Sequence, residues 1–156
     1  IRALEYFQST GQKFSDHNKE ERQKGSPYNF LYLVLTMNRK VLYERIDKRV
    51  DQMMEEGLVK EVKQLLDAGY SRNLVSMQGL GYKEIASALF KECTMEEAVY
   101  RLKRDTRHFA KRQMTWFRRE RDVTMINKDN FSNNHDIVNY IMKLAVEKGI
   151  CSCREG

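Results

Sequence analysis

Phe30-Leu31-Tyr32-Leu33-Val34-Leu35 is an unbroken apolar run, entered from Asn29 and left through Thr36-Met37-Asn38. It is too short to be a self-sufficient buried helix, and its aromatic and branched content predicts a strand. Because no polar residue alternates, such a strand needs cover on both faces, as in a parallel sheet. Val123-Thr124-Met125-Ile126 is the second candidate strand, and a lone pair of strands is marginal in water. The rest of a sheet is therefore expected outside this sequence, which opens on Ile1-Arg2-Ala3-Leu4 as though in mid-helix. Its 156 residues, 41 % hydrophobic, suffice for one core. No stretch is apolar enough to span a membrane.

The remaining pattern is helical. Residues 2–9 read as a helix stopped at Gly11, and the polar stretch 16–26 with Pro27 as an exposed, mobile loop. From Asn38 a helix carries Leu42, Ile46, Val50, Met53 and Met54 on one stripe and ends at Gly57. Val62, Leu65 and Leu66 mark the next helix, Ser76 to Tyr82 a glycine-bearing turn, and Lys83 to Phe90 a short helix. Thr94-Met95-Glu96-Glu97 is a capping-box pattern opening a long helix to Arg119. Its core stripe is read as Met95, Ala98, Val99, Leu102, Phe109 and Trp116. Ile137, Ile141 and Leu144 sit on a last helix ended by Gly149.

The charge is uneven. Of a net +6, the window from Arg101 to Arg121 holds nine Lys or Arg against Asp105 and Glu120. Concentrated positive charge on one element points to a polyanion. Arg104, His108, Lys111, Arg112, Thr115 and Arg118 fall along one helix face, suited to phosphates, with Gln113 and Thr115 placed to read base or sugar edges. The plain alternative is a solvated charged face. Gln78-Gly79-Leu80-Gly81-Tyr82-Lys83 lets the backbone approach a ligand, with Tyr82 and Lys83 at the mouth of the next helix, or is simply a tight connection. Arg45 and Arg49, one turn apart, suit a diphosphate, or are solvated. Three cysteines, Cys93, Cys151 and Cys153, build no disulfide framework and suggest a reducing compartment. Cys151 and Cys153 read as a frayed tail rather than a metal site, and no metal-ligating constellation is read elsewhere. No Gly-x-x-x-x-Gly-Lys-[Ser/Thr] loop occurs.

Five segments in order resemble the tRNA dimethylallyltransferases, over about residues 1–145 and in the manner of their C-terminal half. They are Arg2-Ala3-Leu4-Glu5, the run Leu42 to Met53, Gly57-Leu58-x-x-Glu61-Val62, Gly79-Leu80-Gly81-Tyr82-Lys83-Glu84, and Thr106-Arg107-x-x-Ala110-Lys111-Arg112-Gln113-x-Thr115-Trp116-Phe117-Arg118. The resemblance implies an α/β, mostly helical fold, the C-terminal part of a P-loop-NTPase-like parallel sheet with an added helical domain. On that reading residues 1–37 and 122–149 belong to the sheet-bearing core. Residues 38–121 form a helical tRNA-binding region, and 150–156 a disordered tail. It further implies Mg²⁺-dependent transfer of a dimethylallyl group from dimethylallyl diphosphate to N6 of the adenine 3′ of the anticodon. That adenine is flipped out of the anticodon stem-loop. Arg2, the turn Gln78, Gly79, Leu80, Gly81, Tyr82, Lys83, and the segment Lys111, Arg112, Gln113, Met114, Thr115, Trp116, Phe117, Arg118 match tRNA-contacting stretches. Arg49 matches an arginine near the diphosphate, with Arg45 the second choice, as a clamp on leaving-group charge. Gly79 stands where many members have Ala. The family's phosphate loop and general base lie ahead of the residues matched. The implied setting is cytoplasmic, with the full-length enzyme a monomer. A non-catalytic, basic, helical RNA-binding module is the competing reading, and a helical protein-interaction bundle the third.

Overall fold

A computed structural model describes residues 2–152, which divide into two compact units. Residues up to Leu31 together with those from Asn139 onward form one, and Tyr32–Val138 form the other. Cys153 lies outside the described residues.

In the first unit, α1 (Arg2–Thr10) stops at Gly11, whose φ of +71° only glycine adopts easily. The stretch expected as a mobile loop is instead largely helical, forming α2 (Phe14–Gln23). Its polar residues carry no apolar period, yet Lys, Glu, Gln and Arg are good helix formers. Tyr6 of α1 holds it by ring contacts to Phe14 at 5.5 Å and His17 at 5.0 Å.

The second unit contains a two-stranded parallel sheet, β1 (Tyr32–Thr36) and β2 (Val123–Asn127), in register from Tyr32 on Val123 to Thr36 on Asn127. A parallel pair requires a crossover, and here the whole helical region supplies it. That region runs through α3 (Arg39–Glu55), α4 (Leu58–Asp67), a 3₁₀ turn (Val75–Gln78), α5 (Tyr82–Leu89) and α6 (Met95–Phe117). A second 3₁₀ turn follows β2, and α7 (Asn134–Glu147) begins in this unit, its residues from Asn139 onward belonging to the first. The expected parallel arrangement holds, and within this chain one face stays open, Val34 being buried while Leu35 remains 52 % exposed. Phe30 lies ahead of β1 and is also exposed.

The core is helical. Val50 of α3, Leu58 and Val62 of α4, Met77 of the 3₁₀ turn, Ile85 and Ala86 of α5 and Leu102 of α6 form one buried cluster. Asn38 caps α3 through the Lys40 N–H, and Thr94 caps α6 through the Glu97 N–H at 3.1 Å. Two members of the expected α6 stripe leave it: Phe109 is exposed and Trp116 is 55 % exposed. The buried cluster reaches along α6 as far as Leu102.

Candidate nucleic-acid interface

The cations of α6 fall into two groups. In the first half each is matched by an acid. Arg101 pairs with Glu97, and Arg104 Nε donates to Asp105 at 2.8 Å. Lys103 reaches Asp51 at 2.5 Å and Arg107 reaches Asp47 at 2.6 Å, both across to α3. The Arg104 hydrogen bond holds the Asp105 carboxyl below its ordinary range. Farther along, Lys111, Arg112, Arg118 and Arg119 have no carboxylate within 4 Å among the described residues. On α6, the cations left without a carboxylate among the described residues are thus Lys111 and Arg112, followed just past its end by Arg118 and Arg119.

Two clefts flank that stretch. One, of about 540 Å³, opens at the C-terminal ends of the parallel strands, where Thr36 and Asn127 stand. Arg39 and Tyr43 of α3 form one wall, Lys111, Thr115 and Arg118 the other. Ligands of parallel α/β sheets bind at this end of the strands. Arg39 Nε donates to the Tyr43 hydroxyl at 2.9 Å and stacks on its ring, so the guanidinium is held in place. Apolar Leu35, Leu42, Met114 and Met125 complete a lining that mixes cations with hydrocarbon. The other cleft, more open, holds His108, Arg112, Trp116 and Arg119. There Arg112 lies over the Phe109 ring at 5.9 Å, and Trp116 meets Phe117 edge-on at 5.2 Å. Exposed aromatics beside unpaired cations make a surface suited to stacking bases and gripping phosphates. Thr115 Oγ1 donates to the Lys111 carbonyl at 3.0 Å, leaving its lone pairs to accept from a ligand. Gln113 is exposed on the same stretch.

The turn before α5 is structural as well as exposed. Gln78 Nε2 donates to the Arg72 carbonyl at 2.6 Å. Leu80 and the Tyr82 ring pack against the core cluster, and the Tyr82 hydroxyl donates to Glu61, which raises its pKa. Gly79 has a φ of −62° that any residue adopts, whereas Gly81 sits at φ +100°, ψ −54°. The Gly81 N–H donates to buried Glu84 at 2.8 Å, and Lys83 lies 3.5 Å from the other Glu84 oxygen. Glu84 lines a third, polar cleft together with Gln78, Lys83 and Arg104. Gly81→Ala is expected to cost about 1–3 kcal/mol through backbone strain alone. A Cβ there meets Leu58, Met53 and Leu102 only at ordinary contact distances. Urea unfolding measures the loss; an unchanged midpoint refutes the strain argument.

Neither Arg45 nor Arg49 lines the strand-end cleft, although Arg45 touches Met37, which does. Arg49 pairs with Glu56 at 3.8 Å and is 61 % exposed, and Arg45 approaches the Met37 sulfur at 3.9 Å. Arg2 belongs to the first unit, where it is exposed. Arg39, Tyr43, Asp47 and Asp51 were not singled out from the sequence. The last two had a visible signal, since two acids four apart on α3 match two bases four apart on α6. No group of three or more His, Cys, Asp or Glu stands together among the described residues. Mg²⁺ commonly uses one or two carboxylates together with the phosphates of a substrate, and among the described residues no carboxylate lines the strand-end cleft.

The sequence pattern described as IPP transferase matches residues 1–120. The tRNA dimethylallyltransferase of Lachnoclostridium phytofermentans is 55 % identical over 150 residues, covering 96 % of this chain and 48 % of that protein. That of Acetivibrio thermocellus is 51 % identical over 138 residues, covering 88 % and 44 %. Among solved structures, the full-length tRNA isopentenylpyrophosphate transferase of Bacillus halodurans superimposes with a TM-score of 0.73 at 43 % identity, covering 86 % of this chain and 45 % of its own. The tRNA delta(2)-isopentenylpyrophosphate transferase of Staphylococcus epidermidis gives 0.69 at 37 %, covering 91 % and 47 %. The chain spans about half the length of the curated relatives it matches.

Proposed function

This chain belongs to the IPP transferase family, and on that premise we propose that it is the RNA-facing part of a tRNA dimethylallyltransferase. The observation that carries the proposal is the unneutralised strip Lys111, Arg112, Arg118 and Arg119 beside the strand-end cleft. The reaction is transfer from dimethylallyl diphosphate to N6 of the adenine 3′ of the anticodon, presented by an anticodon stem-loop. N6 attacks C1 of the dimethylallyl group, the N–C bond forms, the C1–O bond breaks and diphosphate leaves. The N6 proton passes to a base on the part of the enzyme outside this chain, which also carries the P-loop-like phosphate cradle.

The residues present serve binding and charge. The α6 cations hold phosphates and fix register, while Gln113 and Thr115 meet base or sugar edges. The turn from Gln78 to Lys83 offers its exposed polar groups to the same RNA, as do Arg104, His108 and, on the first unit, Arg2. Arg49, or as second choice Arg45, meets negative charge growing on the departing diphosphate. Its exposed pairing with Glu56 is weak enough to exchange for that ligand. Mg²⁺ neutralises diphosphate charge when bound, through ligands outside the described residues. The setting is cytoplasmic and the complete enzyme a monomer.

The test is transfer. This chain is combined with the N-terminal half of a relative, a labelled dimethylallyl diphosphate and a stem-loop. Label is expected on adenine only when both halves are present, falling at least about 100-fold with Arg49→Ala, the scale of one transition-state donor. Tight stem-loop binding by this chain, with transfer indifferent to Arg49, favours a non-catalytic RNA-binding module instead.

A further inference from the structure

Helices α3 and α6 touch along part of their length and then diverge. Val50 and Leu102, both nearly inaccessible, belong to the shared core cluster. At that level Asp51 reaches Lys103 at 2.5 Å, and one turn on Asp47 reaches Arg107 at 2.6 Å. The order is antiparallel, so the two pairs form rungs of a ladder across the helix pair. The basic partners are 23 % and 24 % exposed and the acids 54 % and 38 %, so each pair stands half-buried at the edge of the helix contact. Beyond Asp47 toward the start of α3, and beyond Arg107 toward the end of α6, the same helices become opposite walls of the strand-end cleft. Leu42 and Tyr43 then face it from one side, Lys111 and Met114 from the other.

We infer that Asp47 and Arg107 are positioning residues: with Asp51 and Lys103 they set the width of the strand-end cleft and the aim of the cations that line it. A single ion pair between two helices lets them pivot. Two pairs one turn apart fix both separation and rotation, at the point where apolar packing ends. Neither Asp47 nor Arg107 lines the cleft itself. What the cleft receives rests on the proposed function; how its width is held does not.

The distance is measured on this chain with its cysteines replaced by serine and spin labels at Lys40 and Gln113, both exposed, and binding is measured on the unlabelled chain. Asp47→Arg is expected to broaden and shift the measured inter-label distance. At a temperature where circular dichroism shows full folding, it is also expected to weaken stem-loop binding about tenfold, as coupled neighbours do. Adding Arg107→Asp restores both. Asp47→Asn, which introduces no repulsion, gives a smaller effect of the same kind and substitutes if the reversal does not fold. An unchanged distance overturns the inference. So does a lower melting temperature with unchanged affinity, which marks a merely stabilising pair, or a swap that restores nothing. If the parent chain binds no stem-loop, the proposed function fails, and the distance alone then judges the ladder.

Discussion

Arg112→Glu/Arg118→Glu is expected to weaken stem-loop binding at least about 100-fold at low salt and to flatten the salt dependence of affinity by roughly two phosphate contacts. The magnitude follows from where these cations sit. Neither has a carboxylate within reach among the described residues, so each is free to displace a counterion from a phosphate. Reversal removes two contacts and adds two repulsions. The informative comparison is between single neutralisations: Arg112→Gln is expected to cost about tenfold, and Arg101→Gln, whose charge is already met by Glu97, less than about threefold. Affinity is read by fluorescence anisotropy across a salt series. Equal losses for the two variants would mean that total charge, rather than the unpaired strip, drives binding.

The largest effect on stability is expected from Leu102→Ala, at about 2–5 kcal/mol. Leu102 is 1 % exposed and is the α6 member of the buried cluster that also joins α3, α4 and α5. Truncation leaves a cavity where three helices meet the fourth, with no exposed neighbour able to collapse into it. A domain is stable by only about 5–15 kcal/mol, so the variant approaches the unfolding threshold. Trp116→Ala, although it removes a larger side chain, is expected to cost far less, since its ring is 55 % exposed. Urea unfolding of both variants decides the matter. A costlier loss at Trp116 would mean that the exposed aromatic, not the helical cluster, anchors α6.

The local signals in the sequence were strong where one principle acts alone. Apolar periodicity found α3, α4 and α6, Thr94 announced the start of α6, and the run around Val34 gave a strand with a parallel partner. The excess of base over acid between Arg101 and Arg121 was equally plain. What no linear pattern resolved was partnership. Phe109 and Trp116 keep the apolar period of α6, but period specifies a face, not whether another helix reaches it. The helix α2 lacked any period because it buries almost nothing, so only its contacts with Tyr6 betray it. Above all, nine cations in one window look alike in sequence. Tertiary structure divides them, because α3 brings Asp47 and Asp51 to the first half of α6 and no acid to the second. The helical segments other than α2, and the charge excess, were thus fixed by local spacing and composition. Which charges stay available to a ligand was decided by packing, because an ion pair forms between residues that are near in space whatever their distance along the chain.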